Sequence, residues 1–126
     1  MNLSQRTEAF LKLGRRIKDA ISHECPVNPL FQAEHLFDQM QAGNPWFIPR
    51  FSRLALSGIA AMLEESAIRS WLETYPWLDT PISGKRPVTA IVMAGNIPAV
   101  GFHDFLCALI SGHDVLIRLS SKDKVL

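Results

Sequence analysis

The chain has 126 residues, 48% of them hydrophobic and 20% charged, with a formal net charge of +1. Such a composition is globular rather than disordered, and it lacks the basic excess on which electrostatic nucleic-acid binding depends. No apolar run approaches the roughly 20 residues of a spanning helix, and M-N-L-S-Q-R-T-E-A-F is too polar for a signal peptide. The expectation is a cytoplasmic protein with no membrane span.

Two cysteines make no disulfide framework. Cys25 precedes a proline in a turn and Cys107 falls within a helical pattern, where it reads as a packing thiol. Their spacing fits no metal site, and His23, His35 and His113 have no partner spacing for one.

The first part of the chain reads as helical. Leu3, Phe10, Gly14, Ile17 and Ile21 recur on one face of a helix over residues 3–21. Arg6, Lys12, Arg15, Arg16 and Lys18 fill its other faces, which is the pattern of a solvated side. Asn28-Pro29 predicts a second helix start, and Gly43 its end. N-P-W-F-I-P, around Trp46 and Phe47, is rigid and aromatic and is expected to pin one helix pair to another, its aromatic rings in the core. A third helix is predicted over 49–62. Glu64-Glu65 opens a fourth, with Ile68, Trp71 and Leu72 on one face and an end near Tyr75-Pro76. Residues 1–76 are thus a helical region and 77–87 a linker rich in proline and glycine.

Residues 88–126 change character. An apolar run over 88–94 suits a parallel strand covered on both faces. Gly95-Asn96 turns the chain, and Gly95 allows close approach of a ligand to the backbone. Pro98 can begin a helix that buries Phe102, Phe105, Leu106, Leu109 and Ile110; Gly112 stops it, and a second strand begins at Val115. The expected fold class is therefore α/β, a helical region followed by a βαβ unit of a Rossmann-like parallel sheet. Its unpaired sheet edges predict self-association into a homo-oligomer.

The polar residues of this unit lie beyond the carboxyl ends of the strands, where such units bind ligands. The free N–H groups of the helix start favour an anion or oxyanion there. The Asn96 amide can donate two hydrogen bonds; it can equally serve its own turn. Arg118, Ser120, Ser121 and Lys122 supply cations and hydroxyls that suit a ribose or phosphate, or simply form a polar loop. The dinucleotide fingerprint G-x-G-x-x-G is absent, since Gly95 and Gly101 have the wrong spacing. His103 and Asp104, neighbours on a helix, point in different directions and read as surface.

A-G-N-I-P followed by a helix and S-G-H-D-V-L-I-R-L-S-S-K-D resembles the acyl-CoA reductase (LuxC-like) branch of the aldehyde dehydrogenase superfamily. The wider superfamily typically has P-W-N-F-P and A-G-N-x-x-V-x-K-P-S-E at these places. Asn96 matches the Asn of the first motif and Pro98 its second Pro. Gly112, Arg118, Ser120 and Ser121 match the Gly, Lys, Ser and Glu of the second. N-P-W-F-I-P and W-L-E-T-Y-P are also similar to this branch, so the resemblance spans most of the chain.

The resemblance implies an NADPH-dependent reduction of a fatty acyl-CoA, or another acyl thioester, to an aldehyde through a cysteine-bound acyl group. It implies that Asn96 holds the thioester oxyanion, that Met93, Ala94 and Gly95 line the cofactor through their backbone, and that Arg118 and Ser120 contact the adenosine ribose. Ser121 stands where the superfamily glutamate binds the ribose hydroxyls. Its lack of charge, with Arg118 or Lys122 free to pair with a 2′-phosphate, favours NADP(H). The family's nucleophilic cysteine lies downstream of the matched motifs, so the chain is expected to be an inactive amino-terminal fragment of such an enzyme. Two other classes stay open: a non-enzymatic nucleotide-binding module, and a helical module that docks a protein through Trp46, Phe47, Trp71 and Trp77.

Overall fold

The computed structural model describes residues 1–22, 33–80, 84–123 and 125. The expectations for His23, Cys25 and the Asn28-Pro29 helix start lie outside them. The described chain is mixed helix and strand, with five α-helices and a parallel sheet of two strands.

Helix α1 runs Leu3–Ile21, as its periodicity predicts. Asn2 and Gln5 form a reciprocal cap, each side chain serving the other's backbone N–H. Its inner face buries Phe10, Leu11 and Gly14. Arg6 departs from the expected solvated side. Its guanidinium donates from Nε to the Ile110 carbonyl at 3.1 Å and from Nη1 to the Met1 carbonyl at 2.6 Å. Arg15 and Lys18 do stay outside, paired with Glu8 at 3.0 Å and Glu64 at 2.7 Å.

Helix α2, Ala33–Gly43, buries Phe37 and Met40, and α3, Pro49–Met62, starts with its proline in the first turn, where a missing N–H costs nothing. The two lead into α4, Glu65–Glu73, whose Ile68 reaches the core. Gly14 lets α1 approach the end of α3: a β-carbon there would stand 2.6 Å from Leu63 Cβ. Part of the expected linker is ordered, because Pro76–Asp79 forms a 3-10 turn and Leu78 packs on the core.

The sheet pairs β1, Val88–Val92, with β2, Asp114–Arg118, in the register Val88↔Asp114 to Val92↔Arg118. Between them α5, Phe102–Ile110, begins four residues later than Pro98. Residues 98–101 are turns instead, with Ala99 in the left-handed region at φ 52°. Leu106 and Ile110 are fully buried, while Phe102, Phe105 and Leu109 are half-buried. Phe10 of α1 meets Phe102 and Phe105 edge-to-face, with centroids 6.5 and 6.2 Å apart. One apolar cluster thus holds residues from all five helices.

The expectation of a strand covered on both faces is not met among the described residues. Ile91 is buried on one side of the sheet, but Val92, on the other, is 77% exposed. Alternation sends Val88, Ala90, Val92, Asp114, Leu116 and Arg118 to this uncovered face. An apolar run alone does not say whether a second layer is present to cover it.

Candidate functional site

The parallel register brings the carboxyl ends of β1 and β2 side by side. Val92 pairs with Arg118, and the Met93 N–H donates to the Arg118 carbonyl at 3.0 Å. The two sequence motifs therefore leave the sheet at one end, as the βαβ reading expects.

Beyond the strands the two loops pack on each other. A β-carbon on Gly95 would collide with Ser120 Oγ and lie 2.8 Å from the β-carbons of Ser120 and Lys122. The close approach that glycine permits is thus to the chain's own loop and not to a ligand. Ser120 Oγ also accepts from the Lys122 backbone N–H at 3.1 Å. Gly101 gives similar room to Met93, whose Cγ would be 2.5 Å from an added β-carbon.

Two residues to which the sequence assigns no site role organise this corner. Asn44, buried just after α2, donates from Nδ2 to the carbonyls of Gly95 at 3.1 Å and Lys122 at 3.2 Å. Its Oδ1 accepts from the Trp46 N–H. Asp123 turns its carboxylate toward the Ala99 N–H at 3.4 Å, ahead of α5. The only sequence trace of Asn44 is an Asn-Pro after a helix-ending glycine, and that of Asp123 is an acid within a polar loop. Neither pattern reveals a contact across the fold.

The N-P-W-F-I-P segment therefore joins the helices to the βαβ unit as well as to each other. Phe47 is buried in the core as expected, whereas Trp46 is 80% exposed and Trp77 63% exposed. Trp71 is half-buried and continues edge-to-face through Tyr75 to Trp77.

The predicted site residues divide between two small cavities. Met93, Ala94 and Ser120 line one of about 170 Å³, with Leu119, Phe102 and Asp123. Ser121 and Lys122 line another of about 150 Å³, beside Gly43 and Phe47. Asn96 and Arg118 are exposed and line neither. Among the described residues, the Asn96 side chain makes no hydrogen bond, so its amide is available for a ligand.

The donors suit one part of a dinucleotide better than another. Arg118, Ser121 and Lys122 are exposed beyond β2 and have the chemistry to hold a phosphorylated ribose. The turn ahead of α5 does not suit a pyrophosphate, because the Asp123 carboxylate already stands at its N–H. A larger cavity of about 620 Å³ contains none of the predicted residues and extends to the amino ends of the strands, where Arg86, His113 and Asp114 line it.

Cys107 has no feature of an activated thiol. Burial, then the negative charge of Asp104, pushes its pKa up, and the ring nitrogens of His103 stand 3.8 Å from its Sγ. His103 and Asp104 are both exposed. Among the described residues, no group of three His, Cys, Asp or Glu side chains is placed to hold a metal ion, and no helix is long and apolar enough to cross a membrane.

No family model, curated protein or solved structure matches this chain.

Proposed function

We propose that this chain carries the first cofactor-binding βαβ unit of an NADPH-dependent acyl-CoA reductase, and that the acyl-accepting cysteine is supplied by sequence outside it. The observation that carries the reading is the pairing of Val92 with Arg118, which makes the two family-like motifs neighbours at the carboxyl end of one parallel sheet. In this reading Arg118, with Ser121 and Lys122 beside it, holds the 2′-phosphorylated ribose. The exposed Asn96 amide faces the thioester oxygen. Bound NADPH supplies the hydride; the chain's own residues hold and orient it. The nucleophile is not Cys107, whose environment disfavours the thiolate.

Trp46 gives a reporter, because its backbone hydrogen-bonds to Asn44, which in turn holds Gly95 and Lys122. Titrating NADPH into the 126-residue chain should change tryptophan fluorescence saturably, with NADH weaker. Arg118→Ala should weaken NADPH by about tenfold or more, the scale of losing a charge-assisted hydrogen bond. No response to either cofactor rejects the assignment for this chain.

A second reading is favoured by the exposure of Trp46 and Trp77, with Phe51 and Leu54 also exposed on α3. These side chains suit a surface that docks another protein. That reading requires Trp46→Ala to abolish partner binding and leaves NADPH without effect.

A further inference from the structure

We propose that Asn44 is a positioning residue for the cofactor, and that through Lys122 it sets the preference for a 2′-phosphorylated ribose. This rests on the cofactor reading above and adds to it a residue from outside the βαβ unit.

The surroundings of the Asn44 amide allow it one orientation. Its Oδ1 accepts from the Trp46 N–H at 3.1 Å, and its Nδ2 donates to the carbonyls of Gly95 at 3.1 Å and Lys122 at 3.2 Å. Nδ2 carries two hydrogens, one for each acceptor. The two carbonyls belong to different loops. One loop carries Asn96 after β1, and the other carries Ser121 and Lys122 after β2. They stand no further apart than the two hydrogen bonds laid end to end. Facing acceptors need a donor between them, so a carboxylate in place of the amide would drive the loops apart.

The two cations of the site are held by different means. Arg118 ends β2, pairs with Val92 and accepts from the Met93 N–H, so the sheet itself fixes it. Lys122 lies beyond the strand. Its N–H reaches Ser120 Oγ, two residues back in the same loop, and its carbonyl reaches Asn44 across the fold. Asn44 is itself fixed on both sides, because Met40 and Phe47 are fully buried in the core. The helical core therefore sets the place of Lys122. A cation on a fixed loop loses less freedom on pairing with a phosphate than one on a loose loop. The Lys122 charge serves the 2′-phosphate, which NADH lacks, so releasing Lys122 costs NADPH and spares NADH.

Isothermal titration calorimetry of the 126-residue chain tests this without relying on Trp46, whose backbone Asn44 holds. Asn44→Asp at pH 8 keeps the shape of the side chain and its bond to Trp46 but removes the donor. It should weaken NADPH by about tenfold and change NADH by less than about twofold, the scale of one charged contact. Lys122→Ala should cause the same loss, and combining the two should add nothing, whereas Arg118→Ala should add its full effect to Asn44→Asp. A structural role alone would lower both cofactors together. Equal losses for the two cofactors, an unchanged NADPH affinity, or additive losses from Asn44→Asp and Lys122→Ala overturn the proposal and leave the cofactor reading standing. Failure of NADPH to bind the wild-type chain overturns both. Hydrogen exchange in the wild-type chain decides should the variants not fold. By reciprocity, NADPH then slows exchange of the Trp46 N–H by more than that of the Leu63 N–H at the far end of α3, and equal slowing overturns the role of Asn44.

Discussion

The side-chain amide of Asn44 donates to the main-chain carbonyl of Gly95 at 3.1 Å, across 51 positions of sequence. The same nitrogen reaches Lys122, 78 positions away. A single buried side chain therefore holds the loops after β1 and β2 against the end of α2.

Asn44→Ala should destabilise the protein by about 1–3 kcal/mol, because it removes a buried amide and two part-buried hydrogen bonds to the carbonyls of Gly95 and Lys122. Urea unfolding should show a lower midpoint with an unchanged slope. A midpoint equal to that of the wild type would mean that the corner holds without the latch.

Gly95→Ala tests the contact between the loops. The new β-carbon has no room beside Ser120 and Lys122, so a loss of about 1–3 kcal/mol is expected from overpacking. Ser120→Gly in the same chain removes two of the three close atoms and should recover part of the loss. Independent, additive effects of the two changes would contradict direct packing.

At Gly14 two effects oppose each other. Alanine in a helix interior gains about 1 kcal/mol over glycine. Against this, the added carbon meets Leu63 at its Cβ, next to the backbone, where no side-chain rotation relieves the contact. Overpacking of about 1–3 kcal/mol should win, so Gly14→Ala should lower the thermal midpoint. A higher midpoint would show that α1 and α3 separate easily.

Cys107 should react slowly with iodoacetamide. Burial raises its pKa from the ordinary 9.0, so less thiolate exists near neutral pH than in an exposed thiol. Peptide mapping by mass should show its alkylation rate rising only above the pH at which a free thiol titrates. The linkage has a definite sign. The folded state favours the protonated thiol, so the contribution of Cys107 to stability is full below the unfolded pKa and falls as pH rises through the folded one. Faster reaction than in the unfolded chain would contradict the burial.

Several elements were legible because their signals are local. The period of Leu3, Phe10, Gly14, Ile17 and Ile21 marked α1 to its observed bounds, and Pro49 marked the start of α3. The two apolar runs marked β1 and β2 to within a few residues. The start of α5 was misplaced because Pro98 satisfies the geometry of a first helical turn, yet Ala99 adopts φ 52° and the helix waits until Phe102. Trp46 was assigned to the core on its apolar area, but its neighbour Phe47 took the buried position.

The candidate site was legible as a set of residue types and not as an arrangement. Asn96, Arg118, Ser120, Ser121 and Lys122 stand out by chemistry, and the parallel register makes their segments neighbours. That Ser120 lines one cavity, Ser121 and Lys122 another and Asn96 and Arg118 neither, and that Asp123 arrives at the turn before α5, depends on how two loops pack.

By itself the sequence determined where helices and strands form, because periodicity, capping and turn chemistry act over a few residues at a time. Only the tertiary structure decided that Arg6 ties α1 to the end of α5, that Asn44 closes the corner and that, among the described residues, one sheet face stays bare. These relationships join positions from 51 to 104 residues apart. A hydrogen bond or a buried face at such separation exists only once the intervening chain has folded, and no local pattern encodes it.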